Sequence, residues 1–269
     1  MCVVKDNSEA TARLLLQRYV DSVTRDRGDL VLAIVLTGSL VTGSYVPGPG
    51  DIDQITIVAD DSPAGLECEI RAVVQAAMDE FGHVIHLADV TYRRRHLERP
   101  WPAEWNLKPE AKHLATVPEE LLRMHDHGQV IWGHFDIAQL PRPTREEMIA
   151  YHTRWRRWNR HFQEGHPEAG AALHSPSIRI AVQMILSNAV WHYYYTTGMT
   201  CFNKHRIAEL LQREVPGYRY QGAVDLATAL RLRRFDASTK EQSSLTQWVR
   251  ELMEWNQSHP VGTVPRRHG

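Results

Sequence analysis

Apolar residues follow strand and helix spacings through the first ninety residues of the chain. The three- and four-residue spacing over 8–25 predicts an amphipathic helix, and the unbroken apolar run over 30–36 predicts a buried strand. Polar and apolar residues alternate over 51–58 as in a strand, 63–80 has a helical pattern, and a third strand is predicted over 82–92. This order of elements is typical of a small α/β domain with a mixed sheet.

The second half of the chain has an almost wholly helical pattern. Pro141 and Pro143 prevent a helix from running through this point and mark a linker. Before the linker, residues 121–134 offer a helix followed by a short apolar piece. We therefore predict an N-terminal α/β domain over 1–140 and an all-α helical bundle over 141–269. The predicted helices of the bundle cover residues 144–163, 176–197, 203–214, 221–234 and 239–257.

The overall charge and the cysteines argue against several classes of protein. The 31 Lys and Arg residues nearly cancel the 32 Asp and Glu residues, which argues against a protein that coats nucleic acid. Cys2, Cys68 and Cys201 lie far apart, so neither a disulfide framework nor a zinc cluster is indicated. The N-terminal residues do not resemble a signal peptide, and no apolar run reaches the length of a membrane span, so we expect a cytoplasmic protein without membrane contact.

Candidate chemistry lies between the first two predicted strands. Gly38 and Ser39 follow the first strand and are expected to open a short helix, whose backbone N–H groups and serine hydroxyl would grip a triphosphate. Asp51 and Asp53 occupy alternate positions of the next strand and therefore share a face. Two carboxylates this close repel each other unless a cation lies between them, and magnesium prefers such hard oxygen ligands. The combination predicts a site for magnesium and a nucleotide.

The spacing of these residues resembles the motif of the nucleotidyltransferase superfamily. That motif consists of an apolar residue, Gly-Ser, a spacer and two aspartates that flank a hydrophobic residue, here Gly38 and Ser39 followed by Asp51 and Asp53. The resemblance implies a third carboxylate on a later strand, where Asp89 is the acidic residue of the third predicted strand. Asp89 is therefore expected to join Asp51 and Asp53 as a metal ligand.

Within that superfamily the layout looks most like the bacterial adenylyltransferases that modify the aminoglycosides streptomycin and spectinomycin. The family joins a nucleotidyltransferase domain to a helical domain and binds ATP and the drug in the cleft between them. The resemblance implies that Asp89 acts as the catalytic base, where the family has Glu, that Trp105 lines the drug pocket, and that Lys204 contacts the nucleotide. The other similar segments are Val130–Gly133, Leu140–Pro143, Thr197-Gly198 and Val215-Pro216.

The chain also departs from the adenylyltransferase pattern. The family's nucleotide-contacting arginine has no counterpart on the predicted helix over 176–197, and its drug-binding aspartate has none before that helix. Cationic drugs need acidic pockets, whereas the basic run Arg93-Arg94-Arg95 follows the third predicted strand. These differences leave the identity of the acceptor open.

The expected reaction is transfer of AMP from ATP to a hydroxyl of a small molecule, such as an aminoglycoside, with release of pyrophosphate. Two magnesium ions held by Asp51 and Asp53 would stabilise the attacking and leaving oxygens. Asp89 would complete the metal shell or accept the hydroxyl proton. Gly38 and Ser39 would cradle the phosphates, since phosphoryl transfer depends mainly on alignment and charge neutralisation.

The sequence is also compatible with other functions. The chain could adenylylate a protein, as small antitoxin nucleotidyltransferases do, or act as a non-catalytic nucleotide-binding regulator, although the intact Asp51 and Asp53 argue against a regulator. Arg and Trp are interleaved over 154–161, a pattern that can stack bases and hold phosphates. Trp155 and Trp158 lie three positions apart, however, and are predicted to form a buried helix face. Nucleic acid is therefore not an expected partner.

Overall fold

The chain divides into two units, Met1–Pro143 and Thr144–Gly269. The structure is a computed structural model, and within residues 157–165 it describes the backbone only. The residues that it describes are 6–47, 51–88, 90–99, 118–165 and 176–266.

The first unit combines strands and helices, as its hydrophobic pattern predicts. The strands are β1 (Val31–Leu36), β2 (Asp51–Ile52), β3 (Gln54–Val58), β4 (His86–Leu87), β5 (Thr91–Arg93) and β6 (Gln129–Gly133). The helices are α1 (Glu9–Arg27), α2 (Gly38–Thr42), α3 (Leu66–Glu80) and α4 (Pro118–His127), with short 3-10 helices at Arg94–Leu97 and Ile137–Gln139. Among the described residues the longer strands form a mixed four-stranded sheet in the order β5-β3-β1-β6. Strand β1 is antiparallel to β3 and β6, and β3 is parallel to β5.

Both long strands predicted for the middle of this unit are interrupted. The segment predicted as one strand over 51–58 is broken at Asp53, so that β2 pairs with β4 in a separate two-stranded sheet. Asp51 is paired with His86, and Thr56 is paired with Thr91, so the two parallel ladders keep one register across the break. The interruption is therefore a local distortion at Asp53 and not a change of strand partner.

Strand β6 is an element that the sequence pattern did not identify. The apolar piece after α4 pairs antiparallel with β1, with Leu36 opposite Gln129 and Ala33 opposite Gly133. Gly133 has a φ of 83°, and a Cβ built on it would lie 2.2 Å from the carbonyl oxygen of Leu32. A residue with a side chain would clash there, so glycine permits the two strands to approach.

Apolar cores cover both faces of the central sheet. On β3, Val58 belongs to the core formed with α1 and α3, whereas Ile55 and Ile57 belong to the core that includes residues of α4. Gln54 and Thr56 are polar, yet both are buried. Because successive side chains of a strand alternate between faces, Gln54 and Thr56 lie on the same side as Val58 and α1.

Arg93 anchors β5 to the loop between β3 and α3. The Nε group of Arg93 donates to Oε1 of Glu67 at 2.9 Å, and its two terminal nitrogens donate to the carbonyl oxygens of Asp60, Ser62 and Pro63 at 2.8–3.1 Å. The Arg93 side chain is 11% exposed and that of Glu67 is 15% exposed. The basic run Arg93-Arg94-Arg95 therefore begins with a buried residue that has a structural role. Its guanidinium group donates to three loop carbonyl oxygens and one carboxylate.

Replacing Arg93 with methionine is expected to lower the free energy of unfolding by about 3 kcal/mol, because Glu67 and the loop carbonyls lose their donor. The neighbouring substitution Arg94→Met is the matched control, since Arg94 forms an exposed pair with Glu98. It is expected to cost no more than about 0.5 kcal/mol. Urea denaturation of both variants measures the difference, and equal losses would contradict the anchoring role of Arg93.

Helices fill the described part of the second unit, as predicted. They are α5 (Arg145–Gly165), α6 (Ile178–Thr197), α7 (Ile207–Glu214), α8 (Gln221–Leu232) and α9 (Thr239–Ser258). Helix α6 is central, since it packs against α7, α8 and α9. No helix among the described residues is long and apolar enough to cross a membrane.

Trp155 on α5 does not lie on a buried helix face, so that prediction is wrong for this residue. Its side chain is 42% exposed. The next residue, Arg156, faces inward and donates to the carbonyl oxygen of Asn256 at 2.9 Å and to its side-chain oxygen at 2.8 Å. A hydrogen-bonded arginine takes the inward position, which the apolar spacing alone did not indicate.

A buried histidine lies within the helical core of the second unit. His192 on α6 is 3% exposed, and its Nδ1 atom lies 2.8 Å from the hydroxyl of Tyr218. Burial, together with the charge of Arg156, lowers the pKa of His192 to about 3. The imidazole is therefore neutral in the folded protein at neutral pH.

The neutral state of His192 makes the stability of the second unit sensitive to acid. Because the folded pKa lies below the unfolded value of about 6.5, the stabilisation is complete above pH 6.5 and is lost as the pH falls toward 3. We expect this residue to account for a loss of about 2 kcal/mol between pH 7 and pH 5. The measurement is urea unfolding of the wild type and of His192→Asn at both pH values. An Asn variant with the same acid loss as the wild type would exclude His192 as its source.

Candidate functional site

The turn between β1 and α2 is bound to the interruption in the neighbouring strand. Thr37 is the N-cap of α2 and has an extended backbone. Its backbone N–H donates to the carbonyl oxygen of Asp53 at 2.8 Å, and its hydroxyl lies 3.3 Å from the same oxygen. Two donors from one residue therefore fix the main chain of Asp53 beside the turn.

Gly38 makes room for the side chain of Asp53. It has a φ of 69°, and a Cβ built on it would lie 1.9 Å from Oδ2 of Asp53. No side chain can occupy that space while the carboxylate stays where it is. The glycine that the motif requires is thus explained by direct contact with the carboxylate of Asp53.

Helix α2 is short and closes on itself. The backbone N–H of Gly43, which ends the helix with a φ of 69°, donates to the carbonyl oxygen of Ser39, and so does that of Ser44 at 2.9 Å. Ser39 itself is partly exposed, while Ser44 is fully buried. The predicted short helix after Gly38 is therefore present, with the Ser39 side chain accessible near its start.

The alternation around Ile52 gives the direction of the two motif aspartates. Ile52 is fully buried in the core formed with α1 and α3. Its neighbours Asp51 and Asp53 are directed to the opposite side of the chain, and they are exposed and partly exposed, respectively. The expectation that the pair shares a face is therefore compatible with the structure, although the regular strand that it was based on is broken at Asp53.

Three charged residues of α4, which the sequence motif does not include, lie around Asp53. The guanidinium of Arg123 forms an ion pair with Glu119, and a second terminal nitrogen lies 4.0 Å from Oε1 of Glu120. Burial raises the pKa of Glu120 to about 7, with Arg123 opposing this shift and Glu119 and Asp53 adding to it. Burial lowers the pKa of Arg123, but the charges of Glu119, Glu120 and Asp53 outweigh this and raise it.

The sequence contains a pattern that indicates the charged residues of α4. Glu119 and Arg123 are four positions apart, the spacing of an ion pair on a helix surface. The predicted helix began at Leu121, however, so both glutamates fell outside it. Helix α4 begins at Pro118 and packs against α2, which brings its acidic first turn toward the motif.

Magnesium fits the donors present only in part. Within the described residues no group of three or more His, Cys, Asp or Glu side chains is arranged to hold a metal ion. Asp51 and Asp53 nevertheless offer carboxylate oxygens, and neither side chain is fully buried. Magnesium is commonly bound by one or two carboxylates together with water and substrate phosphates. The two carboxylates are therefore donors of a kind that magnesium accepts, and they number fewer than the group of three that a protein-only site would need.

Three further residues were expected in the site. Asp89 and Trp105 lie outside the described residues. Lys204 lies in the second unit, in a turn that precedes α7 and not on its first turn as expected. The turn forms because Oδ1 of Asn203 accepts the backbone N–H of His205 at 2.9 Å, which delays the helix to Ile207.

Among solved structures, the chain is similar to spectinomycin adenyltransferase AAD(9) from Enterococcus faecialis, determined with ATP and spectinomycin. The TM-score is 0.56 at 10% sequence identity, and the match covers 90% of this chain and 99% of that one. The chain has a nucleotidyltransferase-like fold. No protein-family model matches the sequence, and no curated protein matches it. Similarity at this level of identity concerns the fold alone.

The contact between Gly38 and Asp53 leads to a testable prediction, for which Gly43 provides the control. Gly43→Ala places alanine at the same φ of 69° with no atom within 4 Å of the new Cβ. It is expected to cost about 1 kcal/mol from backbone strain alone. Gly38→Ala should cost about 2 kcal/mol more, because its Cβ meets the carboxylate.

Thermal and urea unfolding of the two alanine variants measure the difference. Combining Gly38→Ala with Asp53→Ala should recover part of the loss, because the clashing oxygen is removed. Equal destabilisation by both alanines, with no recovery in the double variant, would exclude close packing of Asp53 on Gly38.

Proposed function

We propose that this protein is a magnesium-dependent nucleotidyltransferase that transfers AMP from ATP to a hydroxyl group of a small molecule. The observation that carries the proposal is the Asp53 carboxylate packed against Gly38 in the turn after β1, within a nucleotidyltransferase-like fold. Such a contact brings a metal-binding group beside backbone that a phosphate can approach. The sequence motif and the local geometry therefore support the same chemistry.

Asp51 and Asp53 would hold the magnesium. The metal would neutralise phosphate charge and orient the triphosphate. Gly38 and Ser39 would contact the phosphates through the backbone and the partly exposed serine hydroxyl, and Lys204 would neutralise phosphate charge. In this assignment the chain mainly aligns the reactants, which is the principal requirement of phosphoryl transfer.

Asp89 would act on the acceptor, as a base or as a further metal ligand. The acceptor oxygen forms a bond to the α-phosphorus while the bond to the leaving pyrophosphate breaks, and the hydroxyl proton passes to the Asp89 carboxylate. Ala88 and Val90, its neighbours in sequence, hydrogen bond to Ile52 and Thr56, and this supports a role for this segment near the motif.

The acceptor is proposed to be an aminoglycoside or a related hydroxylated cation, with Trp105 against it. Two observations favour a cation. Arg93 is used internally, which shortens the exposed basic run that argued against such a drug. Glu119 and Glu120 together outweigh the single charge of Arg123, so that a partial negative charge remains near Asp53 even though the pKa of Glu120 is raised. The similar AAD(9) structure holds ATP and spectinomycin, which makes spectinomycin the first compound to test.

Pyrophosphate release from ATP and magnesium, measured across streptomycin, spectinomycin and other hydroxylated compounds, tests the proposal. Asp51→Asn and Asp53→Asn are each expected to lower the rate about 10²-fold or more, because a carboxylate that neutralises the reacting charge is lost. Asp61→Asn is the matched control, since Asp61 is an exposed carboxylate past the other end of β3. It is expected to keep the wild-type rate.

Several outcomes separate the alternatives. Release that depends on one compound identifies the acceptor. Release without a small acceptor, together with labelled protein bands from a lysate supplied with labelled ATP, would replace it with protein adenylylation. Magnesium-dependent ATP binding without any transfer would indicate a regulator. Undiminished turnover in Asp51→Asn would remove the metal assignment.

A further inference from the structure

A chain of hydrogen bonds crosses the buried side of β3 opposite the motif. The hydroxyls of Tyr19 and Thr56 lie 2.5 Å apart, Thr56 donates to Oε1 of Gln54 at 3.1 Å, and Nε2 of Gln54 donates to the carbonyl oxygen of Ala88 at 2.7 Å. Tyr19 and Thr56 are fully buried, and Gln54 is 1% exposed. These polar side chains therefore lie inside a core that is otherwise mainly apolar.

Only one arrangement of protons satisfies this chain. The carbonyl oxygen of Ala88 can only accept, so the amide nitrogen of Gln54 must face it. The Gln54 oxygen then faces Thr56, whose one hydroxyl proton is used on that oxygen. Tyr19 must therefore donate to Thr56. Because only one arrangement of donors and acceptors satisfies this hydrogen-bond network, each of its side chains is held in a single orientation.

The polypeptide backbone connects this hydrogen-bond network to the Gly38 and Asp53 motif. Gln54 follows Asp53 directly, and the two side chains leave opposite faces of the chain. The carbonyl oxygen of Asp53 is held by Thr37, so the peptide between Asp53 and Gln54 is fixed on both sides. At the other end, Ala88 and Val90 are held by Gln54 and Thr56, the latter through a backbone bond of 2.9 Å. The network thus spans both strand interruptions.

We propose that Tyr19, Thr56 and Gln54 are positioning residues that fix the orientation of the Asp53 carboxylate against Gly38. They touch neither nucleotide nor metal in the proposed function, on which the catalytic part of this inference rests. Their effect passes through the peptide of Asp53 and the Ala88 carbonyl. Loss of the Thr56 hydroxyl removes its hydrogen bonds with Tyr19 and Gln54, so that within this network the Gln54 side chain keeps one bond, to the Ala88 carbonyl oxygen, and is held less firmly.

The test compares two threonines that face each other across the sheet. Thr56 and Thr91 are paired residues of β3 and β5, and both are buried. Among the described residues the Thr91 hydroxyl has no hydrogen-bond partner. Thr56→Val and Thr91→Val therefore make the same chemical change at neighbouring sites, and only the first breaks the chain. Thr56→Ser keeps the hydroxyl and serves as the rescue variant.

Hydrogen exchange of the Thr37 amide is the readout that needs no activity. This amide donates to the Asp53 carbonyl, so its exchange reports on the motif. We expect exchange about tenfold faster in Thr56→Val, beyond any change in global unfolding, and wild-type exchange in Thr91→Val and Thr56→Ser. Acceleration that only follows global stability in every variant would overturn the positioning role and leave a purely structural one.

Kinetics then separates this inference from the proposed function. In a wild type that releases pyrophosphate, Thr56→Val should lower kcat about tenfold to a hundredfold while the KM for ATP changes less than about threefold, because the carboxylate is misplaced and not removed. Unchanged kcat would overturn the catalytic part of the inference while the proposed function stands. A wild type without magnesium-dependent ATP binding or turnover would remove the proposed function, and the exchange result would still decide whether the network fixes Asp53.

Discussion

The approach of the Asp53 carboxylate to the backbone of Gly38 is the constraint on which the first unit depends. It requires a residue without a side chain after β1, a main chain held by Thr37, and a break in the strand that would otherwise continue through Asp53. The parallel register on either side of the break is retained, so the sheet accepts the distortion without losing its strand order. The Asp53 carboxylate is thereby held next to the central sheet, where a loop would hold it less precisely.

Positive and negative side chains lie together around Asp53. Arg123 lies among Glu119, Glu120 and Asp53, and its charge offsets part of the repulsion among the carboxylates. The acidic residues can therefore be close together in the folded protein before any cation binds. Burial, together with the charges of Glu119 and Asp53, raises the pKa of Glu120 against the opposing charge of Arg123.

Hydrophobic spacing predicted most of the helices and β1, because their apolar faces need only some core to pack on. The motif assigned Gly38 and Asp53 to one predicted site, without indicating that they touch, and the structure brings the Asp53 carboxylate against the backbone of Gly38. Spacing did not reveal the interruption at Asp53, since alternation continues through it, nor the inward position of Arg93, which depends on carbonyl groups of a distant loop. The roles of Asp89, Trp105 and Lys204 rest on resemblance and remain predictions.

Strand β6 has a consequence for the order in which the first unit can form. It is the edge partner of β1, yet Leu36 is opposite Gln129, far along the chain. A contact between such distant residues requires closure of a long loop, whose entropy is paid before the contact stabilises anything. During synthesis β1 and β3 can pair early, but one side of β1 stays uncovered until Gly133 has left the ribosome. A nascent chain that ends before β6 would therefore expose the unpaired edge of β1, and unpaired strand edges favour aggregation.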